Sequence, residues 1–278
     1  MDALSRDLEL VVPLWRGGGD ERVVAGADAL AALVPQRAPR VEVPDPHGSA
    51  AQRPPVTTRG LGVLDAEAVV AHARAVTAAL RESRASRVVA LGGDCAMGTP
   101  VAGALLDQHP DLHVIWVDAH GDLNTPGTSP SGLAYGMPLR ALLGDGHPGL
   151  VPDRPLRGDH TMLLGVRELD PAERDFLAAG DVAVVPPAGA DALVAAVLDR
   201  IPAGAPVHVH LDLDVLDPEV FPAVAVPTPG GLDVPTLAAV ATTLRAHADV
   251  VGFTVTEYVP EVPHDPAPLV EVLHAFGA

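Results

Sequence analysis

Short apolar runs rich in β-branched residues alternate along the chain with longer Ala-rich stretches whose apolar positions recur every three or four residues. Leu8–Leu14 reads as a strand, Gly17 to Gly19 break it, and Glu21–Val34 reads as a helix. Asp65 is placed to cap a helix over Ala66–Ser83, with Val69, His72, Ala73, Val76 and Leu80 on one face. Arg87–Leu91 is a strand ending at Gly92-Gly93. Thr99 followed by Pro100 reads as an N-cap with proline at the first helical position, opening a helix to Gln108. Strands follow at His113–Val117, Thr161–Val166, Val182–Val185, Val207–Leu213 and Val250–Val255. Helices are expected over Pro171–Ala179, Ala190–Arg200 and Pro235–His247. This alternation predicts an α/β fold with a mostly parallel sheet. A strand apolar throughout, such as Val114–Val117, needs helices on both faces of the sheet. Pro35–Gly60 and Asp145–Asp159 read as surface excursions, and no linker demands a boundary, so 1–278 is expected to form one domain.

Composition narrows the function classes. An apolar fraction of 48% with 19% charged residues supports a sizeable core. Asp plus Glu number 36 against 18 basic residues, all of them Arg, for a net charge of −18. That balance argues against a phosphate-tracking nucleic-acid binder and against a polybasic membrane anchor. Met1–Leu10 carries two Asp and a Glu, unlike a signal peptide, and no apolar stretch is long enough to span a bilayer. A single Cys excludes an intramolecular disulfide. A cytoplasmic protein is the expectation.

In parallel sheets, sites form beyond the carboxyl ends of the strands. Three such places carry polar residues: Gly92-Gly93-Asp94-Cys95, Asp118-Ala119-His120-Gly121-Asp122-Leu123-Asn124, and His210-Leu211-Asp212-Leu213-Asp214 running on to Asp217-Pro218. Residues two apart on a strand point the same way, so Asp118 and His120 face together, as do Asp212 and Asp214. Carboxylates gathered at strand ends in an apolar core repel one another and are penalised by desolvation. A divalent cation removes the conflict, and so many acidic ligands suit two ions better than one. His208 and His210 also read as core histidines, His208 the more so.

Together these segments, with Thr256-Glu257-Tyr258-Val259-Pro260, resemble the ureohydrolase superfamily of arginases, agmatinases and formiminoglutamases over nearly the whole chain. The resemblance implies a three-layer α/β/α fold around a parallel sheet of about eight strands. It implies a pair of Mn²⁺ ions, a small guanidino substrate whose C–N bond is hydrolysed, and often a trimer or hexamer. By position, Asp118 and Asp212 bridge the metals, Asp122 completes one shell, and His120 and Asp214 hold the other ion. Glu257 pairs with the substrate guanidinium, and Asp94 stands behind a ligand.

Two departures stand out. The family's Gly-Gly-Asp-His is Gly-Gly-Asp-Cys here, which puts Cys95 at a metal-ligand position. A thiolate matches Mn²⁺ less well than imidazole does. Three outcomes stay open: Cys95 ligates, the ion there binds weakly, or another divalent metal is preferred. The plain alternative is a small buried thiol. Cysteine at this point also resembles the N-hydroxyarginine-hydrolysing branch. Secondly, Tyr135 stands where arginases keep a His thought to shuttle protons. A phenol with a pKa near 10 shuttles poorly at neutral pH. Asn124, Ser129 and Ser131 fall where arginases hold the substrate α-carboxylate, with Leu133 replacing an Asn. Asp170 matches the residue that binds the α-amino group, and Asp170, Pro171 and Glu173 equally read as a helix start. The expected function is hydrolysis of arginine or N-hydroxyarginine to ornithine plus urea or hydroxyurea. The alternatives are an agmatinase or formiminoglutamase, and a non-catalytic metal-binding paralogue.

Overall fold

The computed structural model describes residues 3–48 and 59–278. Ten strands run in chain order: β1 Leu8–Val11, β2 Arg40–Glu42, β3 Arg59–Gly60, β4 Val63–Leu64, β5 Val88–Leu91, β6 His113–Val117, β7 Thr161–Leu164, β8 Ala183–Val185, β9 Pro206–Asp212 and β10 Asp249–Thr256. Eight of them form one sheet in the order β2-β1-β5-β10-β9-β6-β7-β8, and β3 pairs with β4 in a small hairpin. Every pairing described in the large sheet is parallel. The helices are α1 Arg22–Leu33, α2 Ala66–Ser83, α3 Gly98–Gln108, α4 Pro138–Leu142, α5 Pro171–Ala179, α6 Ala190–Arg200, α7 Val234–His247 and α8 Ala267–Phe276.

Strand alternation builds two cores. Val89, Leu91, Ile115, Val117, Val209 and Leu211 face one layer, with Leu30 of α1, Leu193 of α6, Leu237 of α7 and Leu273 of α8. Val88, Ala90, Val114 and Trp116 face the other, with Val69 of α2, Leu105 of α3 and Leu139 of α4. The architecture is therefore the three-layer α/β/α sandwich expected. No described helix is long and apolar enough to cross a membrane.

Some expectations need correction. The first strand stops at Val11, because Pro13 has no N–H to offer a ladder. Asp65 takes a left-handed backbone and caps nothing with its side chain; its carboxylate accepts from Arg16 Nη1 at 2.7 Å. Thr99 lies inside the first turn of α3, and its hydroxyl donates to the Pro138 carbonyl at 3.0 Å. The excursion Pro35–Gly60 carries edge strand β2, while its residues 49–58 lie outside the described residues. Helix α8 was not anticipated.

The order of the strands positions the site. The chain winds outward from β1 to β2, returns to β5, crosses to β6, β7 and β8, and fills the gap last with β9 and β10. The carboxyl ends of β5, β10, β9 and β6 therefore lie side by side, and each is followed by one of the acidic segments.

Candidate metal centre

Beyond β5, Gly92 and Gly93 take φ of 91° and 75°, and a Cβ on Gly92 would lie 2.1 Å from the Ala27 Cα. Glycine is the residue that makes this turn cheaply. It delivers Asp94 and then Cys95, which opens a single 3₁₀ turn over Cys95–Met97. Asp94 accepts the Ala96 N–H at 3.0 Å and the Gly18 N–H at 2.8 Å. It thus ties the Gly17–Gly19 loop to the turn that carries Cys95.

Asp118, Asp122, Asp212, Asp214 and Glu257 converge with Cys95, and together with Asp94 these carboxylates are between 1% and 4% exposed. The His120 Nδ1 lies 3.0 Å from Asp214 Oδ2 and 3.4 Å from Asp118 Oδ1. The Cys95 thiol donates to Asp212 Oδ2 at 2.9 Å, and the Cys95 N–H donates to Glu257 Oε1 at 3.0 Å. Backbone amides orient the rest: Ala119 N–H donates to Asp214 Oδ1, and Asp214 N–H to Asp212 Oδ1. Asp122 and Glu257 both adopt left-handed backbone, with φ of 52° and 66°.

The electrostatics follow from burial. Asp94 rises to about 7 through desolvation, opposed by its backbone donors. Asp118 rises to about 6 through burial and the Asp214 charge. Asp122, Asp212 and Glu257 rise well above the carboxylate range, again through burial first and then through neighbouring carboxylates: Asp118 for Asp122, Asp214 for Asp212 and Asp94 for Glu257. Cys95 is pushed up by burial and by Asp212. Burial pulls His120 down, but its bonds to Asp118 and Asp214 outweigh it and raise the imidazole. A cluster this short of positive charge fits divalent cations. Among the described residues, three groups have donor atoms within 4.8 Å of one another: Cys95, Asp118 and His210; Cys95, Asp212 and Glu257; and Asp118, His120 and Asp214.

A cavity of about 110 Å³ opens onto this cluster, lined by Asn124, Ser129, Ser131, Tyr135, Asp170 and Val226 besides the acidic residues. Asn124 Nδ2 donates to Asp170 Oδ2 at 2.7 Å. Asp170 precedes α5, and its N–H donates to Glu173 Oε2 at 2.8 Å, so the helix-start reading and the cavity position hold together. Ser129 Oγ accepts the Gly132 N–H at 2.9 Å and faces Ser131 Oγ at 3.3 Å. Burial, with Glu257 adding to it, raises the Tyr135 phenol to about 12.

Sequence reasoning passed over Trp116 and Arg167, and read His210 only as a core histidine. Trp116 Nε1 donates to Asp118 Oδ2 at 3.1 Å and to Asp122 Oδ2 at 3.2 Å. Its place two residues before Asp118, on the same strand face, was the available signal. Arg167 donates to five carbonyls, those of Gly165, Asp214, Val215, Thr228 and Pro229, and binds the loop that follows Asp214. Nothing local announces that role. His210 Nε2 lies 3.4 Å from Cys95 Sγ and 3.5 Å from Thr256 Oγ1, and its Nδ1 has no partner. His208 has Thr254 Oγ1 at 3.3 Å from Nε2 and a free Nδ1.

Fold and site together define an α/β protein with a buried set of candidate metal-ligand groups at adjoining strand ends. The family model described as "Arginase: Arginase family" matches residues 37–269. An arginase of Bacillus caldovelox is 38% identical over 155 residues, 51% of this chain and 51% of that protein. The N(omega)-hydroxy-L-arginine amidinohydrolase of Streptomyces lavendulae is 34% identical over 161 residues, 55% and 56% respectively. The matched part spans about half the length of these curated relatives. The solved arginase from Bacillus caldovelox superposes over 98% of each chain with a TM-score of 0.82 at 27% identity. The chain belongs to the arginase family.

Proposed function

We propose that this chain is a binuclear-metal amidinohydrolase that cleaves the guanidine C–N bond of an arginine-like amino acid. The observation that carries the reading is the convergence of five buried carboxylates, Cys95 and His120 on a cavity whose far wall is the Asn124–Asp170 pair. Asp118, Asp122, Asp212, Asp214, His120 and Cys95 would hold the metals. When bound, divalent cations lower the pKa of water enough to supply a nucleophile near neutral pH.

The protein's own groups do the rest. Glu257, locked by the Cys95 N–H, holds the guanidinium in place for attack at its central carbon. Asp170 takes the α-ammonium group. The hydroxyls of Ser129 and Ser131, with Asn124 beside them, serve the α-carboxylate. Tyr135 stays neutral at physiological pH, so it donates a hydrogen bond without carrying a proton from water to the leaving amine. The departing nitrogen is the ornithine δ-nitrogen in both substrates, but an N-hydroxyl lowers the basicity of the guanidine, so its carbon is more open to attack and the step needs less help from an acid. N-hydroxyarginine is therefore the favoured substrate over arginine, with ornithine and hydroxyurea as products, and Mn²⁺ the first metal to load.

Parallel hydrolysis assays on L-arginine, N-hydroxy-L-arginine and agmatine, with metal content measured on the same Mn²⁺-loaded sample, test this reading. Preference for N-hydroxyarginine is the expected result. Fast arginine turnover would show that Tyr135 does not limit proton transfer. Agmatine as the best substrate would remove the roles given to Asp170 and Asn124. Two bound ions without turnover on any of the three would favour a non-catalytic paralogue.

A further inference from the structure

We propose that His210 is a metal ligand, so that one end of the centre is a Cys95–Asp118–His210 set and Asp118 has an imidazole on either side. The inference rests on the reading that the site holds metal.

His210 sits on β9, two residues before Asp212 and on the same face, opposite Trp116 on β6 and Thr254 on β10. It is wholly buried. Its ring stacks on the Trp116 indole at a centroid distance of 3.6 Å and an angle of 10°. On the Nδ1 side it packs against Gly98, where a Cβ would lie 2.7 Å from that nitrogen. The stack and the glycine fix the ring, and Nε2 is the nitrogen they aim at the cluster. Nε2 lies 3.4 Å from Cys95 Sγ. Bonds of about 2.1 Å from imidazole and about 2.3 Å from thiolate place their donors about that far apart when they meet a little beyond a right angle.

The donor atoms of Cys95, Asp118 and His210 all lie within 4.8 Å of one another, as do those of Asp118, His120 and Asp214. Asp118 belongs to both groups. The competing set of Cys95, Asp212 and Glu257 would engage the carboxylate needed for the guanidinium, and Glu257 Oε1 already accepts the Cys95 N–H. With His210 as ligand, Glu257 stays free for substrate. The two ends then differ in kind. A thiolate and an imidazole select Zn²⁺ or Co²⁺, whereas the end with two carboxylates and one imidazole suits Mn²⁺.

The test is metal content and affinity, measured with Mn²⁺, Zn²⁺ and Co²⁺ without any turnover assay. The unaltered chain should take up two ions, and Co²⁺ should show a thiolate charge-transfer absorption. His210→Phe keeps the stacked ring and removes the donor. It should retain one tight ion, bind the second at least about tenfold more weakly, and alter the cobalt spectrum. The metal-free Tm of His210→Phe should match that of the unaltered chain, an outcome that separates ligand loss from damage to the fold. Two ions of unchanged affinity and an unchanged cobalt spectrum in His210→Phe would overturn the proposal. An unaltered chain that binds no metal would overturn the functional reading together with it.

Discussion

Asp170 accepts the side-chain amide of Asn124 across the cavity at 2.7 Å, joining the loop after β6 to the start of α5. The other side of that amide accepts from Thr128 Oγ1 at 2.9 Å. A charged carboxylate held this way is preset for an ammonium group. Asp170→Asn should raise KM for arginine-like amino acids about ten- to a hundredfold and leave kcat within a few-fold, because the lost charge acts on binding. Equal losses in kcat and kcat/KM, with KM unchanged, would place the residue in the chemistry instead.

Trp116 holds two acidic side chains from beneath. Trp116→Phe keeps a ring for His210 and deletes the N–H shared by Asp118 and Asp122. Metal affinity should fall about ten- to a hundredfold, as for other groups that orient ligands. Isothermal titration with Mn²⁺ reads the change, and unaltered affinity would reduce the indole to packing.

Glu257→Gln preserves an oxygen to accept the Cys95 N–H and removes the charge. The expected outcome is a loss of about a hundredfold or more in kcat/KM with both ions still bound. Loss of metal and activity together would mean that Glu257 is structural or itself a ligand.

The buried carboxyls set an unusual pH dependence. Asp94 near 7 and Asp118 near 6 both lie above the ordinary 3.8 of a free Asp. An acid whose pKa is raised by folding stabilises the folded state below its unfolded pKa and loses that contribution as pH rises through the folded one. The metal-free chain should therefore melt at a lower temperature at pH 8 than at pH 5. Divalent metal should reverse the trend, since its ligands must be deprotonated and its hold tightens with pH. Thermal melts in chelator and in Mn²⁺ across this window decide it; a chelated chain whose Tm rises with pH contradicts the account.

Arg167 gathers five carbonyls with one guanidinium. Arg167→Lys leaves several of them without a donor, because an ammonium cannot reproduce the planar fork. A loss of about 2–3 kcal/mol in urea unfolding is expected, together with weaker metal binding through the displaced Asp214 backbone.

Much of this was written locally. His113–Val117, Pro171–Ala179 and Ala190–Arg200 form with the bounds their periodicity predicts, and the acidic residues betray themselves by following apolar strands. Strand β2 escaped notice because Arg-Val-Glu is short, polar and half open at the sheet edge. Helix α8 was hidden behind a Pro-rich approach at Pro263, Pro266 and Pro268. Thr99 looked like a cap because its residue type suits one, yet the Pro138 carbonyl took its hydroxyl. His210 and four of the five Arg167 contacts depend on partners far away in the chain, and no window of sequence contains them.

The left-handed backbone at Asp122 and Glu257 has a consequence for the evolution of this fold. Each costs about 1–2 kcal/mol relative to a residue without a Cβ. Selection for heat resistance alone would drift towards glycine at both positions and erase the reaction while improving the scaffold. A laboratory population screened only for survival at high temperature should lose its acidic residues there first, and a sterile, sturdier relative should be within easy mutational reach.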